Sequence, residues 1–254
     1  MDRAVRASYD TIGHGYRAVR KPDPRLAGKI LSALGDCRTV VNVGAGTGSY
    51  EPGDRWVLAV EPSGVMIAQR PRDAAPVLQA SVNDLCLADG TVDAAMAILS
   101  VHHWPDVEAG LCQLVRVVRE RIVIVTMDVT TLARLWIIDD YLPELLGEHA
   151  ARFPPIEWLC ERLPDASAEP LPVPRDCTDR FLSALWARPH DLLDPATRAA
   201  TSPWYDLPAA TVELALTRLR RDLEDGTWQR RYGHLLELNE LDVGLRLITS
   251  RITT

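Results

Sequence analysis

The chain has 254 residues, 47% of them hydrophobic and 25% charged, and a net charge of −7 from 28 Lys and Arg against 35 Asp and Glu. That composition belongs to a soluble globular protein with a real core. It excludes a disordered or fibrous chain, and the negative balance excludes a global attraction for nucleic acid or an anionic membrane. Five scattered cysteines with no C-x-x-C pair give neither a disulfide framework nor a structural zinc site, and no metal constellation is evident. No run approaches about 18 consecutive apolar residues, and the opening Met1 to Arg6 lacks a signal peptide's apolar stretch, so the chain reads as cytoplasmic without membrane insertion.

In chain order, Tyr9, Ile12, Tyr16 and Val19 fall on one helical stripe, and Pro22, Asp23 and Pro24 end that segment. Val40 to Val43 reads as a buried strand ending in Gly44-Ala45-Gly46-Thr47-Gly48, and Trp56 to Val60 as another ending in Glu61-Pro62. A short run, Val77-Leu78, precedes Ala80-Ser81. A fourth strand, Ala94 to Leu99, leads into Ser100-Val101-His102-His103-Trp104. Asp106 can cap a helix with apolar positions Val107, Leu111, Leu114, Val115 and Val118, and Arg121 to Thr126 is a β-branched strand finishing at Met127-Asp128. Strand and helix in alternation predict a doubly wound, Rossmann-like α/β sheet covered on both faces.

Past Asp128 the pattern turns helical: Leu132 through Leu146 forms one segment and Ile156 to Leu163 another. The prolines of Glu169 to Pro174 confine any strand there to a sheet edge. Residues 178–240 read as mostly helical, with Val212, Leu216, Leu219 and Leu223 on one face and Gly226 as a stop, before a final strand within Val243 to Ile252. The expectation is one domain with a helical insertion: an N-terminal segment 1–24, a core 36–128, a helical, substrate-side region 129–240 that includes an edge strand, and a final strand in 241–254.

The glycine run after the first strand lets backbone approach a ligand closely, and a carboxylate at the tip of the neighbouring strand can accept two hydrogen bonds from a ribose diol. The run is G-x-G-x-G, with Ser49 where a dinucleotide fingerprint wants its third glycine. No G-K-[ST] follows to make a nucleotide-phosphate loop, and a chain with two lysines holds no Tyr-x-x-x-Lys pair of a nicotinamide dehydrogenase.

With Tyr9 to Arg20, this loop, Val60-Glu61-Pro62-Ser63, and Leu87 to Asp93 leading into His102-His103-Trp104-Pro105-Asp106, the sequence resembles the class I S-adenosylmethionine-dependent methyltransferases, in particular their small-molecule branch. The resemblance spans nearly the whole chain. It implies a seven-stranded sheet whose last strand is antiparallel and lies between the fifth and sixth. It implies S-adenosyl-L-methionine as cofactor, with S-adenosyl-L-homocysteine as product. Carried over by position, Gly44, Ala45 and Gly46 look like the loop under the methionine part and Glu61 like the ribose ligand, Ser81 and Val82 fall where the family reads adenine, and Asn42, Gly48 and Pro62 are further cofactor-binding candidates. Leu99 joins this set, and in the family the N-terminal helix closes over the cofactor, with Tyr9 or Tyr16 bonding its carboxylate and Arg20 as ion partner. On the bare residues, the same stripe is a core-facing amphipathic helix. Asn42 and Ser81 stand where many members carry Asp; Asn keeps an acceptor but removes a negative charge near the sulfonium.

Methyl transfer from a sulfonium depends on alignment and exclusion of water, and a base serves only a poorly nucleophilic acceptor. His102 and His103 lie just past the fourth strand, where an imidazole suits that work; the alternative is that one packs on Trp104 while the other bonds backbone. Asp128 is a base or an orienting group, or else the cap of the following helix. Trp136, Trp204-Tyr205 and the Arg230-Arg231-Tyr232-Gly233-His234 cluster are places for contacts to an aromatic or polyketide-like acceptor, the arginines otherwise being a solvated helix end. The resulting expectation is methyl transfer to a small molecule, at oxygen, carbon or nitrogen, in natural-product or quinone-type metabolism, with no nucleic-acid partner. The alternative is a cofactor-binding partner protein or a non-methylating member of the same fold.

Overall fold

The computed structural model describes residues 9–12, 15–147 and 150–252. The opening residues 1–8, the side chain of Ile12 and residues 13–14, on which parts of the sequence reading fall, lie outside the described residues.

Five strands follow the expected order: β1 (Thr39–Val43), β2 (Trp56–Val60), β3 (Val77–Leu78), β4 (Val92–Ile98) and β5 (Val118–Met127). With β6 (Ala166–Pro170) and β9 (Leu245–Arg251) they make a seven-stranded sheet in the order β3-β2-β1-β4-β5-β9-β6. β1 to β5 pair in parallel, and β9 runs antiparallel between β5 and β6. The Pro170-bearing strand is thus an edge, where a missing N–H costs no ladder bond. A second, two-stranded sheet joins β7 (Val173–Pro174) to β8 (Glu240–Leu241), a pairing too short to leave a sequence signal.

Side chains alternate across the sheet. Val40, Val57, Ala94, Met96, Val123 and Val125 enter one core, and Val41, Val43, Ala95, Ala97, Ile122 and Ile124 enter the other. Both sets are apolar because both faces are covered. After the short helices α1 (Tyr9–Ile12) and α2 (Tyr16–Val19), α3 (Pro24–Leu34) lies on the first face, burying Leu26, Ile30 and Leu34. Asp23 caps α3 by accepting the Arg25 N–H at 2.9 Å, and Pro24 opens its first turn. After β2 comes α4 (Gly64–Ala68), capped by Ser63. On the opposite face α5 (Val107–Val117) is capped by Asp106, as the sequence suggests, through the Ala109 N–H at 3.0 Å.

Beyond β5 the helices are α6 (Val129–Leu132), α7 (Ile156–Glu161), α8 (Pro195–Ala199), α9 (Ala209–Glu224) and α10 (Thr227–Tyr232). The segment expected as one helix over 132–146 is instead broken into a π-helical turn, Ile137–Tyr141, and a 3-10 turn, Pro143–Leu146. Pro143 removes an N–H and drives Leu142 out of helical geometry, at φ −136°. The region's core is aromatic: Trp186 and Trp228 are fully buried, and Trp136 packs edge-on to Trp228. Gly244, at φ +93°, turns the chain into β9 where an added Cβ would stand 2.7 Å from the Asp128 carbonyl oxygen. Among the described residues no helix is long and apolar enough to cross a membrane.

Candidate active site

The strand ends of β1, β2 and β4 open onto one cleft of about 220 Å³. Its floor is the 44–50 loop. The Gly44 N–H and Ala45 N–H both donate to the Val60 carbonyl, at 2.8 and 3.1 Å, which ties the loop to β2. Gly44 adopts φ +68°, and a Cβ there would meet the Ser100 Cβ at 2.4 Å. The Ser100 hydroxyl in turn donates to the Val43 carbonyl at 2.8 Å. The loop after β1 and the turn after β4 are therefore clamped together, and glycine is required at the closest point.

Glu61 sits at the tip of β2, 5% exposed, and accepts the Gly46 N–H at 2.7 Å and the Ser63 N–H at 2.8 Å. Burial raises its pKa, against the pull of those two bonds. Asp10 of α1 accepts the Ser63 hydroxyl at 2.7 Å, which binds the N-terminal segment to the same turn. The Asn42 amide donates to Glu51 at 3.1 Å, and Glu51 is buried against Arg70 at 2.8 Å.

The residues expected around a cofactor converge here. Asn42, Gly44, Ala45 and Gly46 line the cleft from below, and Glu61, Pro62, Ser81 and Val82 line one side. Tyr9, Tyr16, Arg20 and Leu99 line another. Gly48 does not: at φ +89° it turns the loop and faces Arg70 and Glu51, opening on a separate surface depression. Ser81 also caps the short turn at 82–84 through the Asn83 N–H.

A second cavity of about 90 Å³ adjoins the first, and Tyr9, Tyr16, Arg20 and Leu99 line both. Leu99 holds φ +51°, a backbone state leucine rarely adopts, at this shared wall. The two histidines lie on a 3-10 turn rather than in a strand, and they divide the cavities: His103 lines the cleft and His102 lines the second. Their rings are 4.0 Å apart; His103 meets Tyr9 edge-on at 5.2 Å, and His102 stacks on Phe153 at 4.1 Å. Met127, Ile138, Leu145, Phe181 and Leu182 make most of the second cavity apolar, and Ser183, Thr201 and Ser202 add hydroxyls.

Three sets of candidate residues lie away from both cavities, two of them in the alternative roles the sequence left open. Asp128 lies outside both cavities: its carboxylate caps α6 through the Thr130 and Thr131 N–H groups and pairs with Arg246 at 2.9 Å. Burial alone would raise its pKa, but those hydrogen bonds and the Arg246 charge hold it below the usual carboxylate range. Trp136 is core, its indole N–H donating to the Trp186 carbonyl at 2.8 Å, and Trp204 stands near Arg198 while Tyr205 is exposed. The arginine cluster also has other employment: Arg231 pairs with Asp140 and Arg230 bonds the Asp225 carbonyl and Thr227 at the surface, while His234 is exposed.

Asp179 was not anticipated. It is 2% exposed, lines the cleft, accepts from Arg20 Nε at 2.5 Å and from the Tyr50 hydroxyl at 2.9 Å, and its backbone bridges to Arg20. Burial works against the Arg20 charge, yet Asp179 leaves that guanidinium's pKa raised. Nothing local in the sequence marks this contact, since its partners come from opposite ends of the fold. Phe153 was missed for the same reason.

The donor set fits S-adenosylmethionine. Among the described residues the buried hydroxyl of Thr47 and the indole N–H of Trp104 have no hydrogen-bond partner, and both residues line the cleft, as groups a ligand would satisfy. Glu61 suits a ribose diol; Ala80, Val82 and Met66 offer apolar surface for a flat base; Arg20 suits a carboxylate. Among the described residues no cluster could hold a metal ion.

Residues 41–125 match the model of a family described as a methyltransferase domain. The chain is similar to a solved protein of Anabaena variabilis assigned as a methyltransferase of an antibiotic biosynthesis pathway: identity is 32%, coverage 92% of this chain and 99% of that one, and the TM-score 0.86. It shares its fold with a Haemonchus contortus phosphoethanolamine N-methyltransferase solved with S-adenosyl-L-methionine, at 12% identity, 97% and 56% coverage and TM-score 0.58. The fold recurs in the [4+2]-cyclase SpnF, at 15% identity, 96% and 93% coverage and TM-score 0.54. No curated protein matches the sequence.

Proposed function

The chain belongs to the class I S-adenosylmethionine-dependent methyltransferases, and from that premise we propose that it methylates a small, largely apolar acceptor seated in the cavity of His102 and Phe153. The observation that carries this reading is the pair of adjoining cavities with a common wall of Tyr9, Tyr16, Arg20 and Leu99. When bound, the cofactor supplies a methyl group made electrophilic by its sulfonium.

The chain's own contribution is alignment, dryness and the handling of one proton. Alignment comes from the clamp of Gly44 on Ser100, which fixes the loop relative to the turn carrying both histidines. Dryness comes from Tyr9 and Tyr16, which cover the junction between the cavities. His102, inside the acceptor cavity, takes the proton of an acceptor hydroxyl or activated C–H as the new bond forms. His103 lies on the cofactor side and orients Tyr9. An amine acceptor needs less of this help. The apolar second cavity, and a relative assigned to antibiotic biosynthesis, support a natural-product or quinone-type acceptor over a nucleic acid or a highly charged metabolite.

A second reading, a non-methylating member of the fold, is favoured by one feature: Asn42, where an acid is common, spends its amide on Glu51. Cofactor binding tests the premise, and product formation separates the two. Calorimetric titration with S-adenosylmethionine and S-adenosylhomocysteine is expected to show micromolar binding that Glu61→Ala removes. Mass spectrometry with phenol, quinol and enol acceptors is then expected to show a methylated product. Binding with no product from any of them would move the function to the second reading.

A further inference from the structure

The end of β1 offers the cleft no negative charge, because Asn42 is neutral and the Glu51 carboxylate it touches, held by Arg70, is not part of the cleft lining. Among the described lining residues the only acids are Glu61 and Asp179. Glu61 stands at the strand tip where a ribose diol is held, which leaves Asp179.

Its setting is a built one. Asp179 and Arg20 are both buried, at 2% and 8% exposure, and stand side by side in the cleft wall with their charges in contact. The neighbouring Thr178 N–H donates to Asp23 at 3.0 Å, and the Thr178 hydroxyl donates to the Pro22 carbonyl at 3.1 Å, so the backbone presenting Asp179 is fixed. The Tyr50 hydroxyl fixes one carboxylate oxygen. A buried pair gains little net stability, since desolvation offsets most of its attraction. What a cation beside an anion does complement is a zwitterion, one counter-charge for each end.

We propose that Asp179 is the counter-charge for the cofactor's α-ammonium, beside Arg20 for its carboxylate, so that a carboxylate from the helical region replaces the acid absent at position 42. The inference rests on the reading of the cleft as the S-adenosylmethionine site, and the ligands below separate the two.

The test is calorimetric titration of the full chain with three ligands: S-adenosylhomocysteine, its des-amino analogue, and 5′-methylthioadenosine, which lacks the whole amino-acid end. The wild-type chain is expected to prefer S-adenosylhomocysteine over the des-amino analogue by at least about tenfold, the size of a buried charge-assisted hydrogen bond. In Asp179→Asn that gap is expected to close to within about twofold, with methylthioadenosine binding unchanged. A gap that survives in Asp179→Asn overturns the proposal, as does an equal loss of all three ligands, which would make Asp179 a support of the fold only. If the wild-type chain binds none of the three, the cofactor reading falls and this inference with it. Should Asp179→Asn not fold, Asp179→Glu moves the charge by one methylene: a gap narrowed by more than about threefold supports the proposal, and an unchanged gap overturns it.

Discussion

The two sides of the site are built differently. The cleft proposed for the cofactor rests on backbone at its base, strand tips, a glycine loop and N–H groups joined over short stretches of chain such as Gly46 to Glu61, with the Arg20–Asp179 pair as its long-range exception. The second cavity, proposed for the acceptor, is made of side chains carried on short turns, with Phe153, Phe181, Leu182 and Thr201 brought in from separate elements. The first arrangement cannot change without moving the sheet, whereas the second can change one side chain at a time. A fold that keeps its cofactor while altering its acceptor needs this division.

The rigidity of the cofactor side is challenged most directly at Glu51. Glu51→Ala leaves Arg70, whose side chain is 4% exposed, without its carboxylate; the expected loss is about 4 kcal/mol, read from urea midpoints. Gly44→Ala comes next, with about 3 kcal/mol lost to the clash with Ser100 and the positive φ, together with S-adenosylhomocysteine affinity. Unchanged midpoints in both variants would show a loop that yields, contrary to the comparison.

The division between the histidines is the next point of attack. His102→Ala is expected to lower turnover by about 100-fold, equivalent to about 2.7 kcal/mol, with cofactor affinity intact. His103→Ala is expected to weaken cofactor binding instead. Full activity in both variants removes the base from the mechanism.

Smaller effects sharpen the picture at the seams. Burial pushes the Asp23 pKa up, but hydrogen bonds from Arg25 and the Thr178 N–H override it and hold the carboxyl well below the usual range. A lowered folded pKa stabilises above the unfolded value, about 3.9, and that stabilisation is lost as pH falls through the folded one. Asp23→Asn is therefore expected to cost about 1.5 kcal/mol at neutral pH and progressively less below about pH 4, a difference urea melts at both pH values will show. Asp128→Ala is expected to cost about 1 kcal/mol through its lost helix cap, with turnover retained; a collapse of turnover would return Asp128 to the chemistry.

How much of this was legible follows from the same contrast. The strand ends, the glycine loop and Glu61 announce themselves because period-two burial and strand-to-turn chemistry are local, and the edge position of β6 shows in Pro170. Asp179 and Phe153 carry no local mark; their partners are set by how the helical region folds back on the sheet. The candidates that lie away from both cavities were undecidable from the chain for the same reason. Trp136 is an aromatic at a plausible place in the chain, but only the packing of Trp186 and Trp228 around it shows that it faces inward. Gly48 belongs to the loop's sequence pattern, yet backbone curvature turns it away from the cleft. Asp128 has an identity suited to catalysis and a neighbour, Arg246, that arrives from the far end of the fold to occupy it.

The wall common to the two cavities bears on how such a protein diversifies. On the proposed function, a change at Tyr16 or Leu99 made for the sake of a new acceptor would also reshape the cofactor cleft, so selection on either ligand would restrain drift at both positions. Phe153, Leu145 and Ser183 touch one cavity only. Lineages that acquire new acceptors are expected to record that history at these three positions and to leave the wall unaltered.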